Sequence, residues 1–353
     1  MGGAVERVGR VSRKFHSWPR TRGGRNNCCE ARSGWGFPCW YNERVRLADR
    51  RMRSHRPIMS AHEDGRDLSV LHTDHPRLFH ENTFVYPVLS RRSRGISVGV
   101  NLNPDKVCNF DCIYCQVDRR SAAVTDFVAT ERLLAELEQT LDLVESGELY
   151  RDERFAGTPG PLRRLNDIAF SGDGEPTTYR NIDRIVADVA EIKRRRGLDT
   201  VKMVMITNAS RFHRPSVREA LAILDRNQGE IWAKLDAGTD AYFHRIDRTP
   251  IPFHLILTNL RDAARIRPLV IQSLFMRVEG VGPAPEEIAA FCERLNEVLA
   301  AGGAIQRVQV YTVARRPSES FVAPLGADEV DAIAAKVRDR VPVPVEAYYG
   351  TIV

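Results

Sequence analysis

The sequence predicts an α/β protein built as a partial (β/α)6 barrel, an open relative of the TIM barrel. Six short segments rich in Val, Ile and Leu recur between residues 96 and 313, and amphipathic helical segments alternate with them. Apolar strands of this kind fit a parallel sheet that is covered by helices. Because six units are too few to close an eight-stranded barrel, we expect an open sheet whose ligands gather at the carboxyl ends of the strands.

The predicted elements follow one another without long interruptions. The six strands are predicted at 96–102, 167–171, 201–206, 231–235, 269–276 and 305–313. Helices are predicted at 130–146, 182–196, 216–224, 255–266, 288–299 and 330–341, with a short further strand at 345–349. Thr130 is predicted to cap the first helix, and Ser216 with Glu219 has the spacing of a capping box. Residues 148–165, rich in Arg, Gly and Pro, are predicted as a surface loop.

The first sixth of the chain differs from the rest. The 353 residues carry a net charge of +6, but residues 1–58 alone carry +10, so residues 59–353 carry −4. Residues 1–58 also hold three of the four Trp and show no helical or strand period. We predict that residues 1–58 are a basic extension, disordered or non-native, and that residues 59–353 form the core domain with a short C-terminal extension. An RNA-binding tail and a transit peptide are the alternatives.

Composition also limits the compartment and the partners. No apolar run approaches the length of a membrane span or a secretory signal. The seven cysteines are odd in number and three of them lie in one loop, which disfavours a disulfide framework and predicts a reducing, cytoplasmic location. The mildly acidic core domain offers no broad basic surface for nucleic acid.

Three cysteines lie within eight residues, at Cys108, Cys112 and Cys115, directly after the first predicted strand. Thiolates are the usual ligands of iron–sulfur clusters and of zinc. A structural zinc site needs four ligands, and the remaining downstream cysteine, Cys292, falls on the apolar stripe of a helix. A four-iron cluster held by three cysteines leaves one iron open for an external ligand. A zinc-binding or redox-sensing module and three buried structural thiols are the alternatives, although the polar residues between the cysteines disfavour buried thiols.

A glycine-rich turn follows the second predicted strand and consists of Gly172, Asp173, Gly174 and Glu175. Glycines allow the backbone to approach a ligand closely and leave its carbonyl groups free to accept hydrogen bonds from a cationic amine. An ordinary strand-to-helix turn is the alternative for this segment.

Polar side chains end the third and fourth predicted strands. Thr207 and Asn208 follow the third strand, and Lys234 and Asp236 alternate on one face at the end of the fourth. These positions suit contacts to ribose hydroxyls or to a carboxylate. If Lys234 and Asp236 are buried, they must be paired or ligand-bound, so a purely structural ion pair is the alternative.

Residues of about 84–320 resemble the radical S-adenosylmethionine (SAM) superfamily, in the branch of wyosine-type, imidazoguanosine-forming tRNA enzymes. The cysteine loop, with Tyr114 before its last cysteine, carries the resemblance to the superfamily. The stretches 86–92, 97–104, 170–177, 234–238 and 311–315 resemble that branch.

This resemblance implies the radical SAM type of partial barrel and an enzyme that cleaves SAM reductively into methionine and a 5′-deoxyadenosyl radical. It implies a [4Fe–4S] cluster on the three cysteines, SAM on the open iron, and an external one-electron donor similar to flavodoxin or ferredoxin. The resemblance and the strand-end positions together predict these residues for cofactor binding: Tyr114, Gly172, Asp173, Gly174, Glu175, Thr207, Asn208, Lys234 and Asp236. No catalytic residue that acts on the substrate is predicted.

The resemblance to the wyosine branch is incomplete. Enzymes that form the tricyclic base hold a second cluster on evenly spaced cysteines upstream, whereas here Cys28 and Cys29 are adjacent, Cys39 follows ten residues on, and residues 59–107 contain none. A single cluster is therefore implied. The substrate stays open between a tRNA base and a peptide or small molecule.

The phosphate contacts that an RNA substrate needs have one predicted source. Arg91, Arg92 and Arg94 precede the first strand and are expected to lie beside the cysteine loop.

Overall fold

The centre of the protein is an eight-stranded sheet with the strand order β1-β2-β3-β4-β5-β6-β8-β10. The computed structural model describes residues 79–119 and 121–350, so the predictions for residues 1–58 lie outside the described part of the chain. The seven strands from β2 to β10 run parallel, and β1 pairs antiparallel with β2. This mixed α/β half-barrel confirms the predicted partial TIM-like barrel.

The bounds of the elements are as follows. The strands are β1 Val85–Ser90, β2 Gly95–Val100, β3 Leu165–Phe170, β4 Lys202–Thr207, β5 Gly229–Lys234, β6 Leu269–Leu274, β7 Arg277–Val278, β8 Ile305–Tyr311, β9 Val322–Ala323 and β10 Val345–Tyr348. The α-helices are α1 Thr130–Glu145, α2 Glu153–Ala156, α3 Ile182–Arg195, α4 Pro215–Asp225, α5 Asp240–Asp247, α6 Phe253–Ala264, α7 Pro285–Ala300 and α8 Ala327–Arg340. Strands β7 and β9 form a separate antiparallel pair.

All six predicted β/α units are present, but two predicted helix starts are wrong. Thr130 is the first residue of α1, and Ala129 occupies the N-cap without a side-chain hydrogen bond. Helix α4 begins at Pro215, so Ser216 lies inside its first turn and forms no capping box. Proline is well suited to the first helical position because its φ is already helical and its missing N–H would have no partner there.

Three further differences concern elements that were not predicted. The segment 148–165 contains helix α2 and two 3-10 turns, Glu148–Arg151 and Gly160–Leu162, before β3 begins. Strand β1 forms the edge of the sheet even though it contains Pro87, which an edge strand tolerates. Helix α5 forms from a mostly polar segment whose buried residues are Phe243, Ile246 and Asp247.

The two faces of the sheet differ in what they contact. The apolar stripes of the helices pack into one large core, as shown by the fully buried Leu133, Leu137 and Leu141 of α1. The opposite face carries a smaller apolar cluster formed by Ala169, Val204, Trp232 and Val270. Among the described residues, no helix is both long and apolar enough to cross a bilayer.

A charged layer lies near the amino ends of the strands, next to this smaller cluster. Glu230 accepts from Lys202 Nζ at 2.5 Å and from Arg307 Nη2 at 2.8 Å. It also accepts from Trp232 Nε1 at 2.9 Å, and Arg307 Nε lies 3.5 Å from Glu346. The amino ends of β4, β5 and β8 therefore carry paired charges.

Candidate active site

A cavity of about 310 Å³ occupies the inside of the half-barrel, at the lower end of the usual size range of ligand pockets. All twelve site residues predicted from the sequence line it. Four of them mark the carboxyl ends of neighbouring strands: Cys108 lies beyond β2, Gly172 beyond β3, Thr207 ends β4 and Lys234 ends β5. The order of the parallel strands thus brings together residues that are far apart in the sequence.

The cysteine loop is fixed to the end of helix α5. The amide of Asp111 donates to the carbonyl of Asp247 at 3.1 Å, and the amide of Ile113 donates to the carbonyl of Ile246 at 2.9 Å. Ile113 is buried in the main core, whereas the three cysteines are only half-buried. This anchoring leaves Cys108, Cys112 and Cys115 facing the cavity.

The donors of this loop are three cysteine thiols, which are the usual ligands of iron–sulfur clusters and of zinc. Within the described ranges, no group of three or more His, Cys, Asp or Glu side chains has the geometry of a metal-ion site. The ligands of a cluster bind different irons, so they are spaced more widely than the ligands of one ion. A cationic partner is present, since Arg119 Nη2 lies 3.6 Å from Cys115 Sγ. Burial raises the pKa of Cys108 and of Cys112, and a metal that binds such a thiol removes its proton.

The glycine turn packs directly on the strand and loop that carry the cysteines. Asn101 Nδ2 donates to Asp173 at 2.8 Å, and Asn101 Oδ1 accepts from the amide of Asp173 at 3.2 Å. A Cβ atom on Gly172 would lie 2.6 Å from Asn101 Cγ, and one on Gly174 would lie 2.7 Å from Asn103 Cγ and still closer to the carbonyl oxygen of Val107. Both glycines are thus required by the close approach of protein backbone and side chains.

Glu175 is occupied by protein donors. Its carboxylate accepts from the amide and the hydroxyl of Thr177, from Thr207 Oγ1 at 2.6 Å and from the amide of Asn208 at 2.7 Å. Burial raises the pKa of Glu175, and these hydrogen bonds oppose that effect. The side chain therefore orients the glycine turn and the end of β4, and it acts as a positioning residue.

A short amide chain connects β4 with the cysteine loop. Asn208 Nδ2 donates to Asn109 Oδ1 at 2.9 Å, and Asn109 Nδ2 donates to Ser210 Oγ at 2.7 Å. Asn109 was not predicted as a site residue, although its place beside Cys108 was the available signal.

The predicted Lys234–Asp236 pair forms, at 3.2 Å, and belongs to a larger buried cluster. Lys234 Nζ lies 4.4 Å from the centre of the Tyr114 ring, and Tyr114 donates its hydroxyl hydrogen bond to Asp236 and lies 3.2 Å from Asp247. Cys112 Sγ lies 3.2 Å from the same Asp247 carboxylate. Asp247, for which no sequence pattern predicted a role in ligand binding, thus connects the cysteine loop to the pair.

The pKa values of several groups in this cluster differ from their ordinary values. Burial, and then the charge of Asp236, raise the pKa of Asp247 to about 7. Burial and Asp236 also raise the pKa of Tyr114. Burial would lower the pKa of Lys234, but Asp236 and other anionic groups outweigh it, and the pKa lies above its ordinary value. Lys234 is therefore an ammonium group at neutral pH.

The predicted position of the three arginines beside the cysteine loop is wrong. Residues 91–94 form the turn between β1 and β2, at the amino end of β2, and the cysteine loop follows its carboxyl end. Arg91 and Arg92 are half-buried and line the cavity, whereas Arg94 is exposed. The antiparallel hairpin, which was not predicted, sends these side chains into the half-barrel.

Comparisons with known proteins give distant relatives. No family model matches the chain. A UPF0026 protein of Helicobacter pylori is 28% identical over 252 residues, which cover 69% of this chain and 70% of that protein. A UPF0026 protein of Methanocaldococcus jannaschii is 28% identical over 165 residues, 46% of this chain and 43% of that protein. The GTPase Obg of Brachyspira hyodysenteriae is 23% identical over 285 residues, 77% of this chain, but the chain spans only 37% of its length.

Two solved structures are also similar. A structure of TYW1 with a lysine-pyruvate adduct bound has 18% sequence identity and a TM-score of 0.46, covering 70% of this chain and 74% of that one. The crystal structure of archaeal TYW1 has 13% identity and a TM-score of 0.41, covering 71% and 74%.

Proposed function

We propose that this chain is a radical SAM enzyme, which binds one [4Fe–4S] cluster and cleaves SAM reductively. The observation that carries the proposal is the meeting of a three-cysteine loop and a glycine turn in one cavity, at the carboxyl ends of a half-barrel. Three cysteines as the only cluster ligands would leave one iron of a [4Fe–4S] cluster open for SAM.

Each group of residues in the proposed site has a separate role. Cys108, Cys112 and Cys115 would hold the cluster, which when bound supplies the electron that splits the sulfonium of SAM. The backbone carbonyls of the glycine turn would accept hydrogen bonds from the amino group of SAM. Lys234, held as an ammonium by Asp236, would bind a carboxylate or a hydroxyl oxygen. Glu175 would keep the turn and the end of β4 aligned.

The proposal is tested with the full chain purified and reconstituted without air. We expect about four irons per chain and production of methionine and 5′-deoxyadenosine when SAM and a reductant are supplied. Replacing any one of Cys108, Cys112 and Cys115 by Ala should abolish SAM cleavage, because three thiolates are needed to leave a single iron open.

Cys292→Ala is the matched control, since Cys292 is buried in helix α7 among core residues. It should retain iron and activity. SAM cleavage that survives in any of the three loop variants, or a preparation that holds zinc in place of iron and sulfide, would contradict the proposal.

For the substrate we carry forward two classes, a tRNA base and a peptide or small molecule. The sequence motifs favour the tRNA base. The inward direction of Arg91 and Arg92 favours a small substrate, because these cations face the cavity and not a nucleic-acid backbone outside it.

A further inference from the structure

The cavity contains a cation, Arg92, that pairs with no acidic group among the described residues. The Arg92 guanidinium lies 5.4 Å from the centre of the Trp232 ring and 5.2 Å from that of Tyr311. Within the part of the chain that the structure describes, it forms neither an ion pair within 4 Å nor a side-chain hydrogen bond. Rings that contact a guanidinium leave the N–H groups at its edge available for an acceptor.

An unpaired acceptor lies at the same level of the half-barrel. In strand β6, Val270 lies opposite Trp232 of β5, and Leu274 lies opposite Tyr311 of β8. Gln272 lies between Val270 and Leu274 in β6, and therefore between the levels of the two rings that contact Arg92. Its amide nitrogen donates to Gln309 at 2.8 Å, but its carbonyl oxygen is buried without a partner. A buried polar atom without a partner is costly, and a ligand that donates a hydrogen bond would remove that cost.

The other arginine of this turn reinforces the positive charge. Arg91 donates to the carbonyl of Tyr349, beyond the opposite edge of the sheet, which holds the turn in place. Burial, and then the charge of Arg92, lower the pKa of Arg91 to about 10. The neighbouring cation Lys234 pairs with Asp236, whereas neither arginine forms an ion pair with another described residue.

We propose that Arg92 and the carbonyl oxygen of Gln272 form a subsite for an oxyanion group of the substrate, a carboxylate or a phosphate, at the centre of the half-barrel. A guanidinium binds either group through two parallel N–H···O bonds, and the Gln272 oxygen would accept a hydrogen bond from an adjacent N–H or O–H of the same molecule. The inference rests on the proposed function only in treating the cavity as the active site.

The subsite connects to the proposed cofactor residues through one ring. Tyr311 contacts Arg92 and also interacts electrostatically with Lys234. An oxyanion held by Arg92 would therefore place the rest of a small molecule toward Lys234 and Tyr114, below the cysteine loop. This arrangement selects substrates by charge before any chemistry takes place.

The test uses the full chain labelled with 5-fluorotryptophan. The chain has four Trp, and loss of one ¹⁹F signal in Trp232→Phe identifies the resonance of Trp232. Acetate and inorganic phosphate are titrated separately against chloride at constant ionic strength. We expect a saturable shift of the Trp232 signal with at least one of the two anions, and the stronger of them identifies the source of the oxyanion.

Arg92→Gln should weaken that binding by about tenfold or more, since a charge-assisted, bidentate contact is lost. Arg94→Gln is the matched control, because Arg94 lies in the same turn but is exposed, and its titration should equal that of the unchanged protein. If circular dichroism shows that Arg92→Gln does not fold, Arg92→Lys is used instead. Lysine keeps the positive charge but cannot form two parallel N–H···O bonds, so the loss of anion affinity should be similar.

Two results would overturn the subsite. One is the absence of any saturable shift with either anion, and the other is an unchanged affinity in the folded Arg92 variant. Neither result depends on iron or on SAM cleavage, so the subsite and the proposed function can fail separately.

Discussion

Gly174 lies where the glycine turn contacts the chain that leads into the cysteine loop. A Cβ atom there would overlap the carbonyl oxygen of Val107, one residue before Cys108. From the sequence alone, the glycines of this turn were expected to allow the backbone to approach a ligand. The contact with Val107 shows that any side chain at Gly174 must also displace the cysteine loop.

We therefore predict that Gly174→Ala lowers both the iron content after reconstitution and the free energy of unfolding, the latter by about 1–3 kcal/mol. Iron analysis and chemical denaturation measure the two effects. Gly157→Ala is the control, since Gly157 ends helix α2 with a helical φ and nothing lies within 4 Å of its Cβ position. Normal iron content in a folded Gly174→Ala protein would show that the turn and the loop are independent.

Whether a residue of the candidate site could be predicted depended on the element that positions it. Thr207, Lys234 and Asp236 could be predicted because they end strands, and parallel strands end at one edge of a sheet. Asp247 contacts Cys112 only because helix α5 forms and carries it back to the loop. That contact depends on an element that hydrophobic periodicity did not indicate.

The charged layer at the amino ends of β4, β5 and β8 is expected to stabilise the sheet in a pH-dependent way. Burial alone would raise the pKa of Glu230, but the hydrogen bonds of Lys202 and Trp232 and the charge of Arg307 outweigh it and lower the pKa below its ordinary value of 4.5. A carboxylate whose pKa is lower in the folded chain stabilises the fold above its unfolded-state pKa. This contribution disappears as the pH falls through the folded-state value.

Glu230→Gln should therefore reduce the free energy of unfolding at neutral pH by about 1–3 kcal/mol, because charge-assisted hydrogen bonds are weakened. The difference from the unchanged protein should shrink as the pH falls below 4.5, where the unfolded-state carboxyl is protonated. Denaturation at several pH values measures it, with the exposed Glu153→Gln as control. A difference that is independent of pH would show that Glu230 acts through packing alone.

Elements with a clear hydrophobic period were predicted well, and those without one were not. Six strands and their helices follow from runs of Val, Ile and Leu and from apolar stripes. Strand β1 was missed because Pro87 argues against a strand, and only the edge position, which is a property of the assembled sheet, makes it acceptable. The direction of Arg91 and Arg92 was missed with it, because the hairpin decides that direction.

At the scale of the whole molecule, we predict that residues 1–58 are dispensable, because their charge and composition set them apart. A chain that begins at Met59 should keep its iron content, its Tm and its SAM cleavage. Iron analysis, thermal unfolding and product assays of both chains make the comparison. Loss of iron on truncation would instead implicate Cys28, Cys29 or Cys39 as ligands.

The distribution of charge also predicts how the molecule interacts with RNA. Residues 1–58 carry +10 and residues 59–353 carry −4, so the full chain should bind tRNA more tightly, and with a steeper salt dependence, than the chain from Met59. Binding of both chains to tRNA over a salt series measures this. If the shorter chain shows no measurable affinity at low salt, or an affinity that ignores salt, the tRNA substrate is excluded and the small molecule or peptide is left.

The contact between Arg91 and the carbonyl of Tyr349 joins positions 258 residues apart. On a ribosome that adds about 5–20 residues per second, the hairpin that carries Arg91 emerges roughly 10–50 s before the strand that completes the other edge. The cysteine loop is synthesised early in this interval, whereas β10, at the other edge of the sheet, is synthesised last. The three thiols are therefore synthesised well before the sheet that lines their cavity is complete.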